Sequence, residues 1–173
     1  VSYSFPAGTG VDDMPEKLNE IFAEEKLLLQ QYSKTHIFWS FPESILVPAE
    51  LMNADRNLNM LNLVFGDANK GIIRSDFLYK PNLHNVYRIP EPIFDIFSSY
   101  LPVATQTHVF SSLVNSKIPE GNHLFTVFYN TSISIMLIKE GKLQVIQNFD
   151  YQDATDCVFH LLNVCKGFEV QPE

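Results

Sequence analysis

The chain has 173 residues, 46% of them hydrophobic, and a formal net charge of −8. That length suits one good-sized core or two small lobes sharing a crevice, and 14 Phe with 7 Tyr argue against a disordered or solenoid chain. The acidic balance and the lack of clustered Lys and Arg argue against a nucleic-acid surface. No apolar run reaches membrane-spanning length and no signal segment opens the chain, although a start at Val1 rather than Met leaves room for a leader or a larger upstream piece.

Val1 to Phe5 alternates like a strand, and Pro6 to Gly10 reads as a turn. Asp13 is placed to cap a helix, with Pro15 in the first turn and Glu16 at the capping-box position. Leu18, Ile21, Phe22, Leu28 and Tyr32 carry the apolar stripe of that helix to about Tyr32. Asp12, Asp13, Glu16, Glu20, Glu24 and Glu25 then read as a solvated face rather than an acidic docking site. A strand over Thr35–Phe41 follows, and Leu46-Val-Pro48 leads into a helical turn at Ala49–Met52. Leu58, Leu61 and Phe65 predict a helix over Ala54–Phe65 that ends at Gly66. Ile72–Lys80 and Leu83–Ile89 read as two strands, Pro92–Tyr100 as a short helix closed by Pro102, Val103–Thr107 as a brief strand, and His108–Asn115 as a helix.

The run from His123 to Phe168 spells three strands feeding a capped helix. The strands are Leu124–Tyr129, Ile133–Ile138 and Leu143–Phe149, with Glu140-Gly141 as the turn into the third. The first is apolar at nearly every position and is expected to be central in its sheet. The second alternates, with Ile133, Ile135 and Leu137 on one face, and is expected to be half buried. Asp153 is the predicted N-cap, with Asp156 three residues on. Cys157, Leu161, Val164, Cys165 and Phe168 share one stripe, and Lys166-Gly167 closes the helix. Strand, turn, acidic cap and helix occur at both Val1–Tyr32 and Leu143–Phe168, an echo open to duplication or to ordinary α/β recurrence.

The stretch Gly141-Lys-Leu-Gln-Val-Ile-Gln-Asn-Phe-Asp-Tyr151, continuing through Asp156-Cys-Val-Phe-His-Leu-Leu162, resembles a family of uncharacterised bacterial proteins assigned an actin-like ATPase fold. Leu46-Val-Pro48, after the Thr35–Phe41 strand, is a second shared feature, and the resemblance spans roughly residues 35 to 168. It implies an α/β, actin-like and ribonuclease H-like architecture in two partial lobes, 1–118 and 119–173, with mixed sheets and an antiparallel three-strand meander followed by a helix. Pro119–Asn122 would be the boundary. On this likeness the chain looks incomplete at both ends, and its unpaired sheet edges would recruit a protein partner or a second copy.

ATPases of this class grip phosphate with Asp-x-Gly turns, the Asp organising magnesium or water and the Gly letting backbone N–H groups approach. The corresponding turn, Phe128–Ile133, has neither residue. Asn130 offers a weak ligand and Thr131 and Ser132 hydroxyls, so the turn reads as degenerate. ATP with magnesium is expected only if the intact protein supplies the missing turns. Gly66–Gly71 has P-loop glycine spacing but Ile72-Ile73 where Lys-Ser/Thr must follow, and Gly8-Thr-Gly10 lacks the third glycine of a dinucleotide fingerprint. His36, His84, His108, His123 and His160 show no metal spacing. Cys157 and Cys165 lie eight apart, too far for a mutual disulfide, and read as reduced core residues. Cys157 near His160 reads as packing, Ser111-Ser112 beside His108 lacks a nucleophile elbow, and Trp39 reads as core. Asn130-Thr-Ser132 also matches a glycosylation acceptor, a signal without meaning in a bacterial cytoplasm. The sequence therefore points to a fold and to no reaction. A non-catalytic cytoplasmic scaffold is the expected role, against a nucleotide-binding ATPase or kinase-like enzyme whose loops lie mostly elsewhere.

Overall fold

A computed structural model describes residues 3, 5, 10, 13–67, 70–116 and 120–171. The strand expected at Val1–Phe5, the turn at Pro6–Gly10 and the lobe boundary near 118/119 fall largely or wholly outside those residues. The chain folds as two compact units, Val1–Asp76 with His84–His108, and Phe77–Leu83 with Val109–Glu173.

In the first unit, helix α1 (Met14–Glu24) and strand β1 (His36–Trp39) are followed by β2 (Ser44–Pro48) and a 3-10 turn at Ala49–Leu51. Helix α2 (Ala54–Phe65), strands β3 (Ile72–Leu78) and β4 (Leu83–Ile89), helix α3 (Glu91–Tyr100) and strand β5 (Thr105–His108) complete it, the β3–β4 tip excepted. β1 pairs in parallel with β5, His36 opposite Thr105 and Trp39 opposite His108. A second sheet has the order β2-β4-β3. β4 is its middle strand and is buried at five consecutive residues, Asn85–Ile89, as a strand covered on both faces must be. Leu18, Ile37, Trp39, Tyr87, Ile89 and Ile93 form one core, and Val47, Leu61 and Val86 another. Aromatic rings join α1 to α3: Phe22 stacks on Tyr100 at 4.3 Å and meets Phe97 edge-on at 5.4 Å. Such pairs contribute about 0.5–1.5 kcal/mol each beyond their burial.

Three expectations need correction here. α1 stops at Glu24, not Tyr32, because Leu27, Leu28 and Leu29 are consecutive and exposed, so no tertiary face stabilises another turn of helix. Asp13 precedes the helix but does not cap it; its carboxylate accepts from the Gly10 N–H at 3.3 Å instead. Ser44–Pro48, expected only as the approach to a helical turn, forms β2, a partner for β4. The α2 boundaries match expectation, since Asn53 Oδ1 accepts from the Asp55 and Arg56 N–H groups and Gly66 ends the helix at φ 83°.

The second unit holds α4 (Val109–Asn115), β6 (His123–Phe128), β7 (Ser132–Lys139), β8 (Lys142–Asp150) and α5 (Ala154–Gly167). The three strands form one antiparallel sheet in sequence order, with a bulge at Leu137/Ile138, and α5 packs on β7. Glu140 and Gly141 both take positive φ, as the two-residue turn between Lys139 and Lys142 requires. Ile133, Ile135 and Leu137 meet Cys157 and Val164 of α5, while Cys165 is only half-buried. Asp153 Oδ1 caps α5 by accepting from Thr155 N–H at 2.7 Å and Asp156 N–H at 3.2 Å. Asp156 reaches back to the Gln152 N–H at 2.9 Å.

The expected roles of the first two strands are reversed. β7 is buried at six successive residues, Ile133–Ile138, whereas β6 is half-buried along most of its length. The order β6-β7-β8 explains this, because a three-strand meander puts its second strand in the middle whatever the composition of its first. The alternate residues of β7, Ser134 and Met136, are buried too. Ser134 stays satisfied there through its hydroxyl, which donates to Asn148 Oδ1 on β8.

Candidate functional site

The β6–β7 turn holds the residues singled out for phosphate. Asn130 and Thr131 are exposed and Ser132 is half-buried. The Tyr129 N–H is spent on the Ser132 carbonyl at 2.8 Å, within the hairpin. Tyr151 closes the turn from the end of β8: its N–H donates to the Thr131 carbonyl at 3.0 Å and its hydroxyl to the Tyr129 carbonyl. None of these residues has positive φ, so the turn lacks the alternating backbone that gathers N–H groups into an anion nest. The loop is thus a clamped hairpin whose outward groups are the Asn130 amide and the Thr131 hydroxyl.

The other singled-out residues have structural partners. Gly66–Gly71 links α2 to β3, so no strand precedes it as a P-loop needs. A Cβ on Gly71 would lie 2.4 Å from the Ile89 carbonyl oxygen, which accounts for glycine there by close packing on β4. Cys157 is buried, while His160 stacks on Phe149 at 4.5 Å and donates to the Asp150 carbonyl at 3.2 Å. His123 donates to the Glu120 carbonyl at 2.8 Å. Trp39 lies in the first core and its indole N–H donates to Gln106 Oε1 at 3.2 Å. Among the described residues no three His, Cys, Asp or Glu side chains are grouped to hold a metal ion.

Two polar constellations of the first unit went unforeseen. Asp76, near the end of β3, accepts from three donors: the Tyr87 hydroxyl at 3.2 Å, the Thr107 hydroxyl at 2.9 Å and the His108 backbone N–H at 2.7 Å. It ties β3 to β4 and to β5. The His108 ring, fully buried 4.9 Å from that of Tyr87, donates from Nε2 to the Phe41 carbonyl at 3.0 Å. Burial pulls the His108 imidazole below its usual value, against the opposing pulls of the Phe41 carbonyl and Asp76. Burial pushes the Tyr87 phenol far up, and the Asp76 charge adds to this. A carboxylate engaged by three donors beside a buried imidazole that is hydrogen-bonded to a backbone carbonyl makes a clamp between strands. The second constellation is Arg88, 3% exposed, 2.9 Å from Glu43 and donating to Asn62 Oδ1. An acidic residue within the expected strand Ile72–Lys80 and an Arg within the expected strand Leu83–Ile89 were the available signals.

The second unit also carries an open groove of about 760 Å³. The turn between β3 and β4, the end of α4 and the β7–β8 turn line it. Asn115 holds the first of these in place, accepting from the Tyr79 N–H at 3.2 Å and donating to the Phe77 carbonyl at 2.9 Å. Lys80 and Lys142 stand on its walls, and Val114 and Leu143 offer the apolar lining.

These units together have an actin-like ATPase fold. The crystal structure of a Bacteroides thetaiotaomicron protein, described as having that fold and unknown function, matches 91% of this chain with a TM-score of 0.79 at 18% identity. The match covers 63% of that protein's chain, so the present chain spans less than two thirds of its length. All of residues 1–173 match the family described as proteins of unknown function (DUF3822), and the chain belongs to that family. No curated protein matches it.

Proposed function

We propose that this chain is a non-catalytic actin-like scaffold of the bacterial cytoplasm, an interaction module that does not turn over nucleotide. The observation that carries the reading is the β6–β7 turn. At the place where an actin-like ATPase needs Asp and Gly, it presents Asn130, Thr131 and Ser132, and Tyr151 holds its carbonyls. Magnesium would find no carboxylate within the turn, and a phosphate no converging N–H groups.

The interaction half of the reading draws on β6. Among the described residues it pairs with β7 alone, leaving one edge of backbone donors and acceptors, and Phe128 at its end is 58% exposed. Such an edge accepts a further strand from a partner or a second copy. Two free cysteines suit a reducing compartment. Among the described residues no helix is long and apolar enough to cross a membrane.

Isothermal titration of the intact protein with Mg·ATP tests the non-catalytic half. No binding heat at micromolar protein is expected, and micromolar affinity with slow hydrolysis would replace this reading with a nucleotide-binding ATPase or kinase-like enzyme. Light scattering tests the other half, where a strict monomer at high concentration would count against the edge.

A further inference from the structure

Two charged features remain unexplained by β6. The first is on α1. Glu16, Glu20 and Glu24 recur every fourth residue, so they line up on one helix face, and all three are exposed. None is in an ion pair among the described residues. The helix has no basic residue in its last turn, and carboxylates running toward a helix C-terminus oppose its dipole. Lys17 and Lys26 are the cations nearest in sequence. Directly after the helix, Leu27, Leu28 and Leu29 are 56%, 39% and 50% exposed. Glu16 in the first turn suits the dipole, but Glu20 and Glu24 gain nothing from it and the three leucines leave apolar surface in water.

The second feature is the groove. Lys80 and Lys142 stand on separate walls, neither in an ion pair among the described residues. Val114 is buried beside them, Leu143 is half-buried, and the Tyr79 ring is 76% exposed. Among the described residues no carboxylate lines the hollow, although Glu140 belongs to the turn that carries Lys142. In a chain of net charge −8, this is a cationic, partly apolar concavity.

We propose that the groove receives the acidic line of α1 and the following leucines from a second copy of this chain. The carboxylates meet the Lys80 and Lys142 ammoniums, and the leucines meet Val114, Leu143 and Tyr79. The inference rests on the interaction reading but uses surfaces distinct from β6. Donor and acceptor are different surfaces, one in each unit, so every copy of the chain offers both halves of the contact. An interface of exposed charges is weak and weakens further in salt.

Sedimentation of the purified chain over a concentration series, at low and high ionic strength, tests this. Two variants accompany it, Lys80→Glu with Lys142→Glu, and Glu16→Lys with Glu20→Lys and Glu24→Lys. All five positions are exposed, and circular dichroism verifies that each variant folds. The parent is expected to associate at low salt and dissociate at high salt, and each variant alone to bind itself at least about tenfold more weakly. An equimolar mixture of the two variants should associate again, since each retains the patch the other has lost. A parent that stays monomeric at low salt, or a mixture that fails to associate, overturns the proposal. Association indifferent to salt and to the lysine changes overturns it too, while leaving the β6 reading standing.

Discussion

Replacing Asp76 should destabilise the first unit markedly. In Asp76→Ala, the buried Tyr87 hydroxyl, the Thr107 hydroxyl and the His108 N–H lose their common acceptor. A hydrogen bond to a charged acceptor contributes roughly 1.5–3 kcal/mol. The two bonds at 2.7 and 2.9 Å dominate, and the half-exposure of Asp76 lets water replace part of the loss. The expected cost is about 3 kcal/mol, a fall of about 1.5–2 M in the urea midpoint for an ordinary slope. Asp76→Asn should cost only about 1 kcal/mol, because one amide oxygen still serves Thr107 and His108 while the NH₂ donates to the Tyr87 oxygen. Trp39 is the only tryptophan and lies in the first core, so its fluorescence reports this unit's unfolding. An alanine variant within about 0.5 kcal/mol of the parent, or an asparagine variant as unstable as the alanine one, would refute the clamp.

Two further outcomes follow from the same unit. His108 is buried with its folded pKa below the unfolded value, so protons bind the unfolded chain more tightly. Its contribution is complete above about pH 6.5 and is lost as pH falls from there toward the folded value. Trp39-detected urea midpoints should drop between neutral and mildly acid pH, and His108→Gln should flatten that slope; an unchanged slope would contradict a neutral buried imidazole. Gly71→Ala sets a methyl 2.4 Å from a backbone oxygen and 2.9 Å from Arg88 Cγ. It should lower stability by about 1–3 kcal/mol in the same assay, and a neutral result would mean that β3 and β4 separate freely at that point.

Where the local pattern and the tertiary surroundings agree, the fold was legible from residues alone. The end of α2 at Gly66 and the Asp153 cap of α5 are such cases, because helix ends are settled by a few neighbouring atoms. The meander was legible for the same reason. The errors came where burial was inferred from composition. Leu28 and Tyr32 have helical spacing but no surface to cover them, and the apolar β6 stands at the side of its sheet while β7 takes the middle. The Asn130–Ser132 turn was found in sequence, but its clamp by Tyr151 was not, since that depends on how β8 ends. Asp76 and Arg88 showed in sequence only as charges within strands, and their roles went unread because their partners come from distant parts of the chain, Thr107 in one case and Glu43 in the other.

The connectivity of the two units also sets the order in which they can form. β6, β7 and β8 are joined by tight turns, so their pairing closes only short loops and needs nothing from elsewhere. β1 must wait for β5, since His36 finds Thr105 only after the intervening helices and strands have been made. On a ribosome the order of synthesis is the reverse, the slow-pairing half emerging first and standing open while the quick half is still being translated. Pulse-labelled hydrogen exchange during refolding should find β7 amides protected before those of β1, and simultaneous protection would mean the two halves fold as one.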